Sequence, residues 1–240
     1  MPAKRALVTG AGRRVGRAIA LELAGRGFDV AVHCLRSVDA ANQTAARIRD
    51  LGRNAVVLRA DLADGESAGG LPARCREALG GLDVLVNNAA VFEPTGESFD
   101  LARWNRTLAI NLTAPALLAF HAAPLMTEGG CIVNIGDIAA DRPWPSYAVY
   151  CVSKAGLTAL TKSLAAALAP RIRVNGVAPG VADWPQDYDE EKRQRITARI
   201  PAGRPGTPEE VAAAVRFLAE DATYVTGVVL AVDGGRNIAW

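Results

Sequence analysis

Short apolar runs alternate with helical patterns along nearly the whole chain, and this alternation is the feature that most limits the fold. Most of the runs are continuous, without the polar alternation of a half-exposed strand, which predicts strands buried on both faces of a parallel sheet. The pattern therefore predicts an α/β fold, a doubly wound parallel sheet with helices on both faces. The predicted strands are 6–9, 29–35, 54–60, 83–87, 131–135, 173–177 and 228–232. The predicted helices lie near 14–25, 38–51, 66–79, 100–124, 147–169 and 208–219.

No repeat, low-complexity tract or linker interrupts this order, so we predict a single domain over residues 1–240. One helix start has a specific signal. Thr207 stands at the N-cap position, Pro208 at N1 and Glu210 at N3, which is a capping box. By contrast, residues 183–195 are rich in charge, weakly periodic and follow a predicted strand. We expect a substrate lid around residues 183–200, with an ordinary solvated loop as the alternative.

Composition limits the partners and the compartment. The 240 residues carry a net charge of only +2, and the basic residues are scattered, which argues against nucleic acid and a membrane surface as partners. No apolar run approaches membrane-spanning length, and no signal-peptide core follows the first residues. We therefore expect a cytoplasmic protein. The cysteines lack metal-site spacing, so we expect no metal and buried thiols in a reducing cytosol: Cys34, Cys75, Cys131 and Cys151.

The stretch TGAGRRVG, residues 9–16, follows the first predicted strand and opens the first predicted helix. A strand, a glycine turn and a helix N-terminus together direct backbone N–H groups at a pyrophosphate, so this context predicts a dinucleotide site. Arg14 stands where a middle glycine would be expected. The predicted cofactor contacts in this turn are Gly10, Arg14, Val15 and Gly16.

The end of the second predicted strand indicates which dinucleotide binds. An NAD site usually has a carboxylate here for the ribose hydroxyls, but this sequence has no acid before Asp39, inside the next helix. A guanidinium and a hydroxyl suit a 2′-phosphate, so we predict NADP(H), with a merely solvated Arg36 as the alternative. The predicted contacts are His33, Arg36 and Ser37.

Polar residues at two further strand ends would also reach the cofactor side of the sheet. Asp61 and Leu62 follow the third predicted strand, and Asn87 to Ala89 follow the fourth. Asn and Asp also favour turns for local reasons, so turn chemistry is the alternative for each. We include Asp61, Leu62, Asn87 and Ala89 among the predicted cofactor contacts.

Tyr150 and Lys154 lie four residues apart in a helical pattern and therefore share one face. We expect the lysine ammonium to favour the phenolate and lower the pKa of Tyr150, which would suit it to proton transfer near neutral pH. Asp137 lies thirteen residues upstream, after the fifth predicted strand, and belongs to the same sheet edge.

These motifs together resemble the short-chain dehydrogenases/reductases over essentially the whole chain. The shared features are the T-G-x-x-x-x-x-G turn, Asn87-Asn88-Ala89, Asn111, Tyr150 with Lys154, Pro179-Gly180 and Asp233-Gly234-Gly235. The resemblance implies strand order 3-2-1-4-5-6-7 and hydride transfer to or from nicotinamide. It also implies that Tyr150 is the acid/base, that Lys154 binds ribose and tunes Tyr150, and that Asn111 holds a water in a proton relay. Pro179 and Gly180 would contact the cofactor.

The departures from the general family pattern resemble the pteridine reductase branch. Asp137 replaces the usual serine, Arg14 replaces the middle glycine, Phe92 follows the Asn87 motif, and the threonine usual soon after Pro-Gly is absent from PGVADWPQ. The resemblance implies that Arg14 touches both cofactor phosphate and pterin, that Phe92 stacks the pterin, and that Asp137 joins proton delivery. Without the family, Phe92 is equally a core aromatic. The predicted substrate contacts are Arg14, Phe92, Asp137, Tyr150 and Trp184.

We therefore predict an NADPH-dependent reductase of dihydropteridines such as dihydrobiopterin, dihydromonapterin or dihydrofolate. A carbonyl reductase or alcohol dehydrogenase of the same family is the alternative, and a non-catalytic NADP-sensing protein is a more remote one. Small residues on a second side of the helix 147–169 permit close packing of an internal neighbour or a partner subunit, and the family's habit favours a homotetramer. Trp240 is a candidate for reaching a neighbouring active site.

Overall fold

The computed structural model describes residues 3–185 and 188–239, and the expectation for Trp240 lies outside them. Seven parallel strands form one sheet in the order β3-β2-β1-β4-β5-β6-β7, which confirms the predicted fold class and strand order. The chain crosses from β3 back to β4 on the far side of β1, so the switch point lies between β1 and β4. The strands are β1 Arg5–Val8, β2 Asp29–Cys34, β3 Ala55–Arg59, β4 Val84–Asn87, β5 Gly130–Ile135, β6 Ile172–Pro179 and β7 Val229–Val232.

Eight α-helices connect the strands within the described residues. They are α1 Arg14–Gly25, α2 Val38–Asp50, α3 Gly65–Leu79, α4 Leu101–Leu108, α5 Ala114–Ala122, α6 Ala148–Leu168, α7 Glu190–Thr197 and α8 Pro208–Arg216. The predicted capping box starts α8: Glu210 N donates to Thr207 Oγ1 over 3.2 Å, and Thr207 N donates to Glu210 Oε2 over 2.9 Å.

Both faces of the sheet are buried, as the continuous apolar runs predict. In β1, Ala6 and Val8 pack into the core under α1, α2 and α8, whereas Leu7 packs into the core under α3, α5 and α6. Successive side chains of a strand point to opposite faces, so only a run without polar alternation can fill two cores at once.

Apart from small differences at the ends of several elements, two predicted regions differ from the structure. The predicted helix 100–124 is broken by a π-helical turn, Ala109–Thr113, between α4 and α5. The lid region, predicted without regular structure, contains α7, whose N-cap Asp189 accepts from Lys192 N over 2.8 Å. Short polar helices stabilised by such caps carry little hydrophobic periodicity for a sequence pattern to detect.

One helical stretch of the described chain, Leu101–Leu125, is long and apolar enough to cross a membrane by length and composition alone. Within the fold, α5 packs against α3, and α4 packs against α6. The core helix of a globular domain passes the same test, so the stretch is weak evidence for a membrane span.

Candidate active site

The carboxyl ends of the strands bring Asp137 and Tyr150 together. Asp137 follows β5 and accepts from Ala139 N over 2.8 Å through Oδ1, which fixes its carboxylate at the start of a short 3₁₀ turn. Tyr150, in the first turn of α6, donates its hydroxyl proton to Asp137 Oδ2 over 2.7 Å. The carboxylate is thus the phenol's hydrogen-bond acceptor; Tyr150 is buried and Asp137 is half-buried.

Lys154 lies one turn further along α6 and is almost fully buried. Its ammonium donates to the carbonyl of Ile135 over 2.7 Å, at the end of β5. The ammonium nitrogen is 5.6 Å from the centroid of the Tyr150 ring. The backbone at the end of β5 therefore holds the cation beneath the ring of Tyr150, and no hydrogen bond to the phenol oxygen is formed.

The electrostatics of the three groups correct one prediction. Burial raises the pKa of Tyr150 well above its usual value, and the charge of Asp137 raises it further. Burial also raises the pKa of Asp137 and lowers the pKa of Lys154 from 10.5 to about 8. The expectation that Lys154 lowers the pKa of Tyr150 is therefore wrong for this arrangement, because burial and the carboxylate dominate. Tyr150 is held as a protonated donor.

Asn111 lies in the π-helical turn between α4 and α5. Its side chain accepts from Val91 N over 2.8 Å and donates to Val91 O over 3.0 Å and to Ser153 Oγ over 3.1 Å. The amide therefore clamps the segment after β4 onto α6. The expected role of Asn111 in holding a relay water stays a prediction, and these bonds occupy its side chain.

The glycine turn has the close packing that its sequence predicts. Gly10 has φ +64°, in the left-handed region that favours glycine. A Cβ on Gly16 would collide with the carbonyl oxygen of Gly10 and with Asn88 Nδ2. Arg14 also has a left-handed φ, +52°, which explains why glycine is expected at this position and why arginine is strained there.

The N-terminus of α1 has no cap from its own chain. The N-cap residue Arg13 makes no side-chain hydrogen bond to the first turn, and that turn contains no acidic residue. The first N–H groups of a helix have no partner within it, so this end of α1 can bind an external acceptor, and the helix dipole favours an anion there. Side chains cap four other helices: Asp64 on α3, Asp100 on α4, Asp189 on α7 and Thr207 on α8.

At the end of β2, His33 and Arg36 occupy different environments. The ring of His33 is buried; its Nδ1 accepts from Gly10 N over 3.1 Å, so its Nε2 carries the proton and donates to Ala60 O over 3.2 Å. Burial lowers the pKa of His33, consistent with this neutral tautomer. His33 thus supports the glycine turn from behind. Arg36 is exposed and Ser37 is half-buried, beside the first turn of α2.

The residues after β3 and β4 mainly build the turns around the glycine loop. Asp61 accepts from Ala63 N over 2.9 Å through Oδ1, and Leu62 is buried. Ala89 N donates to Thr9 Oγ1 over 3.0 Å, which ties the end of β4 to the end of β1. Asn87 is buried and donates to Asn134 Oδ1 over 2.8 Å. Leu62 and Asn87 are thus buried at this sheet edge, whereas Asp61 is exposed there.

Phe92 belongs to an aromatic cluster beside the catalytic pair. Its ring stacks on Tyr147, with centroids 4.3 Å apart and planes 4° apart, and lies edge-on to Tyr150 at 4.8 Å. Trp144 completes the cluster, 6.2 Å from Phe92 between centroids. Phe92 remains 38% exposed, so part of its ring is open to a ligand.

The segment after β6 connects the glycine turn with the lid region. Pro179 ends β6, and a Cβ on Gly180 would press against the backbone of Asp233. Asp183 accepts from Arg14 Nε over 2.5 Å. Trp184 packs loosely on Tyr188, with centroids 6.4 Å apart. Arg14 therefore bridges the cofactor turn and the predicted lid.

Two residues at this site were missed by the sequence analysis. Asp183, the partner of Arg14, was included only as the start of a charged segment. Arg236, on the last turn of the chain, lies 5.6 Å from the centroid of the Trp144 ring, and the charge of Asp137 acts on it. An arginine just after Asp-Gly-Gly is the only sequence signal, and it does not indicate where the turn folds back.

Known proteins were compared with the chain as a whole. The model of the enoyl-(acyl carrier protein) reductase family matches residues 10–237. Cis-4-hydroxycyclohexanecarboxylate dehydrogenase of Sinomonas cyclohexanicum is 41% identical over 238 residues, covering 96% of this chain and 95% of that protein. The 3-oxoacyl-(acyl-carrier-protein) reductase of Synechocystis sp. is 37% identical over 243 residues, covering 98% and 97%.

Solved structures share the same fold over nearly their whole length. FolM alternative dihydrofolate reductase 1 from Brucella canis, complexed with NADP, superposes with a TM-score of 0.93 at 37% identity, over 99% of this chain and 95% of that one. A variant of a Serratia marcescens short-chain dehydrogenase/reductase superposes with a TM-score of 0.92 at 36% identity, over 98% of both chains.

Proposed function

Because the chain belongs to the short-chain dehydrogenase/reductase family, an oxidoreductase family, we propose that it is an NADPH-dependent reductase of dihydropteridines such as dihydrobiopterin, dihydromonapterin or dihydrofolate. One observation carries the proposal: Tyr150 donates to the carboxylate of Asp137, where the family pattern has a serine. A serine hydroxyl can donate to a developing alkoxide, whereas an ionised carboxylate only accepts. A carboxyl group suits the N–H groups and ring nitrogens of an amino-pyrimidine.

Proton delivery follows from the same pair. The raised pKa of Tyr150 keeps its proton on the phenol oxygen near neutral pH, and the raised pKa of Asp137 brings that carboxyl closer to proton exchange. In the proposal, Tyr150 and Asp137 together supply the proton that a ring nitrogen needs when the adjacent C=N carbon accepts a hydride. Lys154, held by Ile135 O, keeps a positive charge near the pair.

The residues present fit NADPH. The uncapped N-terminus of α1 offers N–H groups to a pyrophosphate, and Gly16 lets the start of the helix pack directly on Gly10 and Asn88 of the turn. Arg36 is exposed at the end of β2, where no carboxylate would repel a 2′-phosphate. When bound, NADPH would supply the hydride. The solved FolM structure complexed with NADP supports the same choice of cofactor.

The predicted substrate contacts surround the catalytic pair. The open part of the Phe92 ring would stack a flat heterocycle, and Trp184 would close over it from the lid. Arg14 is bound to Asp183 here, but both side chains are more than one third exposed. Such pairs contribute little to stability, about 0–1 kcal/mol, so Arg14 is available to turn toward a phosphate or pterin.

Steady-state oxidation of NADPH tests the proposal. We expect turnover with at least one of dihydrobiopterin, dihydromonapterin and dihydrofolate above the background rate without enzyme. Replacing Asp137 by serine should reduce that turnover while leaving or improving activity on simple carbonyls. No turnover with any of the three pterins, under conditions where NADPH binds, contradicts the proposal.

A carbonyl reductase or alcohol dehydrogenase is the second candidate. The 41% identity with cis-4-hydroxycyclohexanecarboxylate dehydrogenase is the observation that favours it. In that case Asp137 would hold Tyr150 in place rather than contact the substrate. A panel of cyclic ketones and alcohols assayed beside the pterins separates the two, since the ratio of kcat/KM values between the classes identifies the reaction.

We also propose a homotetramer in the cytoplasm, without nucleic acid or membrane partners. Exposed apolar side chains on and beside α4, α5 and α6 support assembly: Phe99, Leu101, Phe120 and Val152. Sedimentation at micromolar concentration should give a species several times heavier than the 25.1 kDa chain. A monomer under those conditions contradicts this assembly.

A further inference from the structure

The turn after β7 carries an arginine back to the catalytic pair. Asp233 organises this turn by accepting from Gly235 N over 2.9 Å and from Asn237 N over 2.6 Å. Gly234 and Gly235 have φ values of +63° and +85°, which the reversal requires. The reversal places the guanidinium of Arg236 against the face of Trp144, a member of the aromatic cluster.

Two neighbouring segments hold the turn in place. Arg142 donates to the carbonyl of Arg236 over 3.1 Å and to that of Asn237 over 3.3 Å. On the other side, Ala202 N donates to Gly234 O over 3.0 Å, just beyond Arg199 in the lid region. The backbone of the turn is therefore fixed between the segment after Asp137 and the lid, and its arginine side chain lies on Trp144.

Arg142, Arg199 and Arg236 have no ion-pair partner among residues 3–185 and 188–239. Burial is the largest influence on Arg236 and lowers its pKa; the positive charges of Arg199 and Arg142 lower the pKa further, and the negative charge of Asp137 opposes them. Asp137 is occupied by Tyr150 and Ala139, and Asp141 accepts only from the amide of Asn237 over 3.3 Å. Arg236 is thus a half-buried cation that faces the like charges of Arg142 and Arg199 and has no ion-pair partner in the described chain, an arrangement that favours an external anion.

We propose that this arginine cluster, defined as Arg142, Arg199 and Arg236, binds a carboxylate carried by the substrate, with Arg236 as the principal contact. The proposal deepens the proposed function and rests on it: among dihydropteridines it selects those with an anionic tail, as in dihydrofolate, over uncharged ones such as dihydrobiopterin. Arg236 is suited to the role because its guanidinium is held on Trp144, whose ring lies 6.4 Å from Tyr150 between centroids. A carboxylate bound there belongs to a molecule that also reaches the catalytic pair.

Matched substrates and variants test the proposal. Arg236→Ala should raise KM for dihydrofolate roughly 10-fold or more, since a charge-assisted hydrogen bond contributes that much, and should change KM for dihydrobiopterin by less than about twofold. Arg236→Lys keeps the charge without the planar fork and should fall between wild type and alanine. Arg76→Ala is the control, because Arg76 is exposed in the last turn of α3, which leads to the opposite edge of the sheet. The dissociation constant for NADPH should not change in any of these variants.

Equal effects of Arg236→Ala on the two pterins overturn the proposal, because a structural role, or an effect of the Arg236 charge on Asp137, would act on both substrates alike. A second pair of substrates, two cyclic alcohols, distinguishes failure of the anion site from failure of the proposed pteridine reduction. If neither pterin is reduced, oxidation of cis-4-hydroxycyclohexanecarboxylate is compared with that of cyclohexanol. If the wild-type protein prefers the carboxylated alcohol and Arg236→Ala loses this preference, the anion site is supported and pteridine reduction is rejected. The anion site is rejected if, in both substrate pairs, the preference for the carboxylated member does not depend on Arg236.

Discussion

Replacing Lys154 by methionine removes a buried charge whose cost depends on pH. Burial lowers the pKa of Lys154 from 10.5 to about 8, so below about pH 8 the folded protein holds a proton that the unfolded chain binds more tightly. This difference between the folded and unfolded pKa values lowers the free energy of unfolding of the wild-type protein by roughly 3 kcal/mol at neutral pH. Above the unfolded pKa the lysine is neutral in both states and this penalty disappears. Methionine has a similar length and no charge to bury.

The pH dependence gives the sharper expectation, because Lys154→Met also leaves the Ile135 carbonyl without its 2.7 Å hydrogen bond. That loss costs about 1–3 kcal/mol at every pH, whereas the charge penalty falls by about 2 kcal/mol between about pH 7 and about pH 9.5. The stability of the variant relative to wild type should therefore decrease by about 2 kcal/mol over this interval.

Urea unfolding followed by tryptophan fluorescence, at one protein concentration, measures the difference. Lys162→Met, at an exposed position of the same helix, is the control and should show no such trend. A Lys154→Met difference that is constant between the two pH values, or that grows with pH, would refute the argument that Lys154 is a buried and destabilising cation. Turnover of the variant should be lost at both pH values.

Three further substitutions probe the chemistry and the cofactor site. Tyr150→Phe should lower turnover by about 100-fold or more while NADPH still binds in a fluorescence titration; full activity would remove Tyr150 from proton transfer. Arg36→Ala should weaken NADPH roughly 10-fold and NADH by less than about twofold, and equal losses would argue against a phosphate contact. Gly16→Ala should abolish NADPH binding and lower Tm, because the added methyl collides with Gly10 and Asn88; an unchanged Tm and Kd would contradict the close packing of this turn.

The sheet was predictable because each strand is an apolar run buried on both faces. Ala6, Leu7 and Val8 must all be apolar when alternate side chains enter different cores, as in a parallel sheet covered by helices on both faces. The placement of Asp137 beside Tyr150 was also predictable, because it follows from the end of β5 and the first turn of α6.

Features that depend on long-range packing were not predictable. The π-helical turn at Ala109–Thr113 leaves no mark in the apolar periodicity, because α4 and α5 keep one direction through it. The predicted direction of the Tyr150 pKa shift was wrong, because the spacing of two residues along a helix shows that they are close but not how deeply they are buried. Arg236 reaches the site through a reversal at two left-handed glycines, and its contact with Trp144 joins residues 92 positions apart.

The left-handed backbone at Arg14 has a consequence for protein engineering. A campaign that selects only for thermal stability should recover glycine at this position, because glycine relieves about 1 kcal/mol of strain. The half-exposed contact with Asp183 offers little resistance to that exchange. Such a variant would keep the turn and lose the guanidinium at the substrate side. Libraries built on this scaffold should therefore hold position 14 fixed or score catalysis together with heat resistance.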